Sequence, residues 1–298
     1  MSAASAPVLA TSWAVVAVAI TAMQNCMIRL AADAGAHSLQ IVVFRNVVSL
    51  VVITLLVLWT ERRIPKSRFT GLIAVTCIAH VLSMFSGYFG VAVLPLNESA
   101  ALGFAMPLFA TIGAALFLGE TVRARRWCAV VAGFVGVLII LRPGIVPVNL
   151  GAAMVLVSTM LGAVVTLMFK HFTGGERAAT LILYQSLFSS LLSIPPAAVV
   201  WEMPSAYQVL VMTSNGILGA LGWIAFLRAC ALADASALMP YEFARLPFIA
   251  VFAYFLFNEY PDQWAWLGAA VIFSSTLYIA HREAAIARDA ARRALRNS

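Results

Sequence analysis

Apolar runs of about 20 residues, the length that crosses a bilayer as a helix, recur along this chain with only short interruptions. This pattern constrains the fold before any motif does. Hydrocarbon offers no partner for a backbone N–H or C=O, so each run must satisfy its own peptide groups, and a helix does so within one segment. Composition agrees. Of the 298 residues, 63% are hydrophobic and 10% charged, against roughly 45–50% and about 25% in soluble domains. A soluble protein of this length would still need a polar surface.

Turn-forming and charged breaks divide the chain into ten predicted spans, over residues 9–32, 38–60, 70–91, 98–118, 126–142, 150–170, 179–201, 207–228, 236–257 and 264–281. The connections include "ERRIPKSR", "GETVRARR", "RPGIVPVN", "TGGERA" and "NEYPDQ", and none leaves room for a soluble domain. The opening "MSAASAPVLATSW" lacks the basic region of a cleavable signal and is read as part of the first span.

Basic residues set the orientation, because positive charge marks cytoplasmic loops. Arg62, Arg63, Lys66 and Arg68 lie between spans two and three, and Arg123, Arg125 and Arg126 between four and five. Lys170 and Arg177 follow span six, Arg228 ends span eight, and Arg282, Arg288, Arg292, Arg293 and Arg296 lie in the tail. If the chain crosses at every span, all of these share one side, and only Arg29 and Arg142 fall toward the other. Both termini are therefore expected in the cytoplasm. The net charge of +7 is explained by this asymmetry, so no nucleic-acid partner is expected. The basic tail reads as a helix lying near anionic headgroups.

The two halves resemble each other. "MIRLAADAGAHSLQIVVFRN" parallels "MFKHFTGGERAATLILYQS", "LNESAAL" parallels "ADASAL", and "LFLGET" parallels "FLFNEY". Arg29 thus corresponds to Lys170, Arg45 to Gln185, Ser99 to Ser236 and Glu120 to Glu259. Five is an odd number of spans, so the second copy enters the membrane from the opposite side. The expected fold is an all-α integral membrane protein, with ten transmembrane helices as two inverted five-helix repeats around a central cavity. The N-terminal repeat covers 1–146, the C-terminal repeat 147–282 and the cytoplasmic tail 283–298. Inverted repeats are the architecture of secondary transporters, with the substrate near the midplane.

"FRN" opening span two, "LPLNESAAL" entering span four, and "LFLGE" and "LFNE" closing spans four and nine resemble the EamA-type carriers of the drug/metabolite transporter superfamily. The resemblance covers about residues 9–282, and among the family's members it is strongest to the YddG-type amino-acid exporters. It implies two five-helix bundles about a cavity, alternating access and a place in the bacterial inner membrane. Amino-acid export is the first function it suggests. The alternative is an uptake carrier for a larger metabolite such as riboflavin or S-adenosylmethionine, since carriers of these share the motifs.

Candidate path residues follow from helical spacing. In span three, Thr76, His80, Ser83, Met84 and Gly87 form one small, polar or soft stripe with Tyr88 at its edge. Asn25 in span one, Tyr184 in span seven, Asn215 and Trp223 in span eight, and Tyr241 in span nine complete the expected substrate-binding set. Interhelical hydrogen bonding is the structural alternative for these positions. Pro107 and Pro247 sit mid-span in equivalent helices, where a missing N–H favours a kink and hence a gate. Glu242 and Arg245 project from one side of span nine. They read as a mutually neutralising pair at the cytoplasmic mouth of the cavity, either structural or also in contact with a zwitterionic solute.

Other functions lack residues. There is no H-E-x-x-H, no G-x-S-x-G and no glycine-rich phosphate loop, so no enzyme is expected. His37, His80, His171 and His281 are scattered, as are Cys26, Cys77, Cys128 and Cys230. No metal site and no cofactor are expected. The expected partners are a small-molecule substrate and the lipid bilayer, for a monomer or a homo-oligomer. No chain of mid-membrane carboxylates suggests a proton relay; facilitated movement is favoured, with proton exchange as the alternative.

Overall fold

The computed structural model describes residues 5–61, 67–117, 124–142, 149–172, 178–230, 244–260, 262–275 and 277–278. Every regular element among them is helical. In chain order these are α1 (Ser5–Asp33), α2 (Ser38–Glu61), α3 (Thr70–Val93), α4 (Leu96–Gly103), α5 (Met106–Phe117) and α6 (Ala124–Leu141). Then come α7 (Leu150–Phe172), α8 (Ala178–Val199), α9 (Ala206–Cys230), α10 (Arg245–Phe257) and α11 (263–275).

Seven stretches among the described residues are long and apolar enough to cross a membrane: Leu9–Asp33, Ser38–Thr60, Thr70–Val93, Leu96–Leu116, Leu150–Met168, Ala179–Val199 and Ala206–Phe226. Trp127–Leu141 and Arg245–Phe257 are shorter apolar helices at the places of the fifth and ninth expected spans. α11 falls where the tenth was expected.

The bundle exposes large apolar side chains on its outside and buries polar ones among apolar core residues. Trp59 and Phe255 are 82% and 76% exposed, as suits contact with lipid. Asn46 and Asn215 are buried. Asn46 Nδ2 donates to the Ser189 carbonyl and to Ser193 Oγ, both at 3.3 Å, joining α2 to α8. Ser49 Oγ donates to the Gly216 carbonyl at 2.8 Å, joining α2 to α9. Ser83 Oγ donates to the Ser158 carbonyl at 2.8 Å, joining α3 to α7. Helices in hydrocarbon gain little from burying apolar surface against each other, so such bonds and close packing hold them.

α3 packs on α7 and α8, α1 on α9 and α10, α2 on α8 and α9, α5 on α7, and α4 on α10. α6 meets α11 through glycine. A Cβ on Gly268 would lie 2.6 Å from the Gly136 carbonyl oxygen, and one on Gly136 would lie 2.8 Å from the Gly268 carbonyl oxygen. The two backbones therefore touch directly.

The expected fourth span is broken. The Phe104 N–H bonds to the Ala101 carbonyl at 3.2 Å and the Ala105 N–H to the Leu102 carbonyl at 3.0 Å, a tightened turn between α4 and α5. Pro107 cannot donate to the Gly103 carbonyl, and its ring crowds that oxygen, so the helix breaks just before it. The sequence reading placed Pro107 and Pro247 mid-helix, and the structure corrects this. Pro107 is the second residue of α5 and Pro247 the third of α10, first-turn positions where a missing N–H is tolerated. Helix-internal prolines do occur, at Pro195 and Pro196 of α8, which the sequence reading passed over.

Gly268→Val should press on the Gly136 backbone and lower the unfolding free energy in detergent by about 1–3 kcal/mol. Gly71, whose Cβ would meet nothing within 4 Å, is the control: Gly71→Ala should leave stability unchanged or slightly raised.

Candidate functional site

Two of the cavities among the described residues are lined by polar side chains of several helices and lie next to each other. The first, of about 290 Å³, is lined by Thr21 and Gln24 of α1, Arg45 of α2, and Gly219, Gly222, Trp223 and Phe226 of α9. Thr21 and Gln24 lie on one face of α1, and the α9 residues recur at three- and four-residue steps, so each helix offers one stripe. Gly219 makes the space. A Cβ there would lie 2.9 Å from Gln24 Nε2 and 3.1 Å from Arg45 Nε.

Arg45 sits about 10 Å along α2 from Ser38, at 1.5 Å per residue. A guanidinium at membrane depth costs at least ~2.5–3.5 kcal/mol on insertion scales. Its Nη1 donates to Asn46 Oδ1 at 3.1 Å and to the Met84 thioether at 3.7 Å. No carboxylate among the described residues pairs with it, and its buried Nε has no acceptor among them.

The second cavity, of about 240 Å³, is lined by Asn25 of α1, Ser83, Met84, Gly87 and Tyr88 of α3, Ser99 of α4, Ser158 and Thr159 of α7, and Arg245 of α10. The Arg245 guanidinium stacks on the Phe104 ring, 4.9 Å from its centroid, a cation–π contact.

A thin polar wall separates the two. Tyr88 donates its hydroxyl proton to Asn215 Oδ1 at 3.2 Å. Gln24 Nε2 reaches the Tyr88 hydroxyl oxygen at 3.5 Å, and Asn215 Nδ2 donates to the Gln24 carbonyl at 3.1 Å. Gln24 lines the first cavity and Tyr88 the second. Met84 lines the second and accepts from Arg45 of the first. Asn215 stands about 14 Å along α9 from Ala206, close to half of the roughly 30 Å hydrocarbon depth.

Toward the Asp33 end of α1, a second polar cluster ties helix ends together. Arg29 Nη1 donates to the carbonyls of Ala92 and Leu94 at 2.9 and 3.0 Å, and Nε pairs with Asp33 at 3.2 Å. Its Nη2 lies 4.0 Å from Glu259, whose other carboxylate oxygen accepts from the Leu96 N–H at 2.9 Å. Arg142 bonds to Asp262 and faces the Trp264 ring.

The residues chosen from sequence divide between these places. Asn25, Ser83, Met84, Tyr88 and Arg245 line the second cavity, and Trp223 lines the first. Asn215 belongs to the wall. His80, one turn before Met84, lines neither cavity; Tyr184 lines neither and packs against Phe188, with ring centroids 6.3 Å apart. Tyr241 and Glu242 lie outside the described residues, and the expected Glu242–Arg245 pair with them. Sequence reasoning gave no site role to Arg45 or Gly219. The signal for Arg45 was present, as a single charge inside the apolar run of α2.

The model of the EamA-like transporter family matches residues 8–142. The chain is 28% identical to an S-adenosylmethionine uptake transporter of Rickettsia bellii, over 83% of this chain and 85% of that one. It is 33% identical to a riboflavin transporter of Vibrio cholerae, over 68% of this chain and 72% of that one. A solved structure matches in fold with a TM-score of 0.61 at 14% identity, covering 94% of this chain and 99% of its own.

Tyr88→Phe should leave the buried Asn215 carbonyl oxygen without its donor and lower stability in detergent by about 1–3 kcal/mol. Combined with Asn215→Ala, the loss should fall short of the sum of the two single losses. Strict additivity in denaturant unfolding would mean the two side chains are not coupled.

Proposed function

The chain belongs to the EamA-like transporter family, and from that premise we propose that it is an uptake carrier for a heteroaromatic metabolite of the class that includes riboflavin and S-adenosylmethionine. The observation that carries this reading is the pair of cavities meeting at a hydrogen-bonded wall near mid-depth. Trp223 and Phe226, edge to face at 6.0 Å, offer ring surfaces, and Thr21, Gln24 and Arg45 offer polar edges beside them. Small-molecule sites have this make-up, apolar and aromatic walls with a few placed polar groups.

Amino-acid export, suggested by the resemblance of the sequence to the YddG-type exporters, is less well supported. The relatives named for S-adenosylmethionine uptake and for riboflavin transport fit the heteroaromatic alternative better.

The inverted-repeat reading is part of the proposal, with halves at 1–146 and 147–282. Exchanging the first five expected spans for the second five turns the α3–α7 contact into the α9–α1 contact. It also turns α2–α9 into α8–α3 and α5–α7 into α10–α1, and returns α2–α8 to itself. Packing related in this way supports alternating access between two similar halves. The basic-residue asymmetry supports cytoplasmic termini in a bacterial inner membrane.

Proteoliposomes preloaded with unlabelled riboflavin or S-adenosylmethionine should accumulate the same labelled compound by counterflow. Counterflow of amino acids alone would overturn the reading. For orientation, in a background without native cysteines, Tyr260→Cys, at a site 73% exposed, should react with an impermeant thiol reagent from outside intact cells. Arg68→Cys should react only after the membrane is breached. The reverse pattern would invert the assignment.

A further inference from the structure

We infer that the cavity between α1, α2 and α9 is a charge-reading subsite. There Arg45 receives the acceptor edge of a neutral or anionic heteroaromatic ring, Trp223 and Phe226 cover the ring, and a net cation is turned away. The inference rests on the carrier reading above and narrows it to one charge class.

The argument begins with what Arg45 lacks. A guanidinium carries five N–H donors in a planar fork. Here Nη1 meets an amide oxygen and a thioether, and Nε meets no acceptor among the described residues. A charge at this depth is expensive to insert, and no described carboxylate offsets it. Packing alone would be served equally well by an apolar residue. The remaining donors face a cavity that Gly219 keeps open, since a side chain on α9 at that position would run into Arg45 and Gln24.

The fork selects its partner. Guanidinium binds two-pronged acceptor edges, a carboxylate or a ring carbonyl beside an unprotonated ring nitrogen, and it also stacks on flat rings. A solute entering beside Arg45 meets its positive charge in a poorly screened setting, where Coulomb forces act strongly. Riboflavin is neutral, its ring system is planar, and it carries ring carbonyls beside unprotonated ring nitrogens. S-adenosylmethionine has a net positive charge through its sulfonium. The geometry therefore favours the flavin-like class over the sulfonium.

The test is equilibrium binding to the purified full-length protein in detergent, with riboflavin read by its own fluorescence and S-adenosylmethionine by calorimetry. The wild-type protein should prefer riboflavin by about tenfold or more. Arg45→Gln should weaken riboflavin by about tenfold and shrink the preference. Arg45→Lys, which keeps the charge without the fork, should weaken riboflavin yet still reject S-adenosylmethionine. Should Arg45→Gln fail to fold, Gly219→Ala displaces the guanidinium instead and should likewise weaken riboflavin. Folded Arg45→Gln with unchanged riboflavin affinity, or Gly219→Ala with unchanged affinity when it alone is available, overturns the inference. Tighter wild-type binding of S-adenosylmethionine than of riboflavin overturns it while leaving the carrier reading intact. Binding of neither compound overturns both.

Discussion

Arg29 solves a problem that every helix ending inside or near a membrane must face. The last carbonyls of α3 and the first N–H groups of α4 have no partner within their own helices. Arg29 supplies donors to Ala92 and Leu94, and Glu259, from just beyond α10, supplies an acceptor to Leu96. The two charges also lie beside each other, 4.0 Å apart, so each lessens the cost of the other. This joint fixes where α3 stops and α4 begins. The second cavity depends on it, because Ser83 to Tyr88 reach that cavity from α3 while Ser99 reaches it from α4.

Elsewhere the interior is held by many small polar links rather than by a few strong ones. Interhelical hydrogen bonds in membranes are worth about 0.6 kcal/mol on average. The bonds of Asn46, Ser49, Ser83 and Asn215 matter through number and placement. The wall of Gln24, Tyr88 and Asn215 is of this kind. It joins α1, α3 and α9 through three hydrogen bonds.

The helices were legible in the sequence because a membrane-spanning run satisfies its backbone locally, and local demands leave local patterns. Pro107 announced a defect in the fourth span. The defect lies before the proline, at Phe104 and Ala105, because the missing bond belongs to the preceding turn. Helical spacing singled out the α3 stripe, and Ser83, Met84 and Tyr88 do line a cavity. Periodicity gives a face and not the neighbour opposite it, and for this reason His80 was chosen on the same grounds and lines neither cavity. Tyr88 and Asn215 were each visible, but their bond was not, since it exists only once α3 and α9 meet. Arg45 stood out as a charge in an apolar run. Its meaning required Gly219, distant in sequence, to show that space had been left for it. Substrate was least legible, because the motifs shared with related carriers belong to the scaffold.

The contact of Gly136 with Gly268 has a mechanical consequence. Where side chains lie between two helices, the helices can slip past one another by trading rotamers, as gear teeth disengage and catch again. Between α6 and α11 at that point one backbone is seated against another, with the Ile140 and Ile272 side chains wedged over the glycines. Slip or roll there would drive peptide groups into each other. However the rest of the bundle rearranges, these two helices must travel as a single strut, and the flexing has to be taken up in the joints around it.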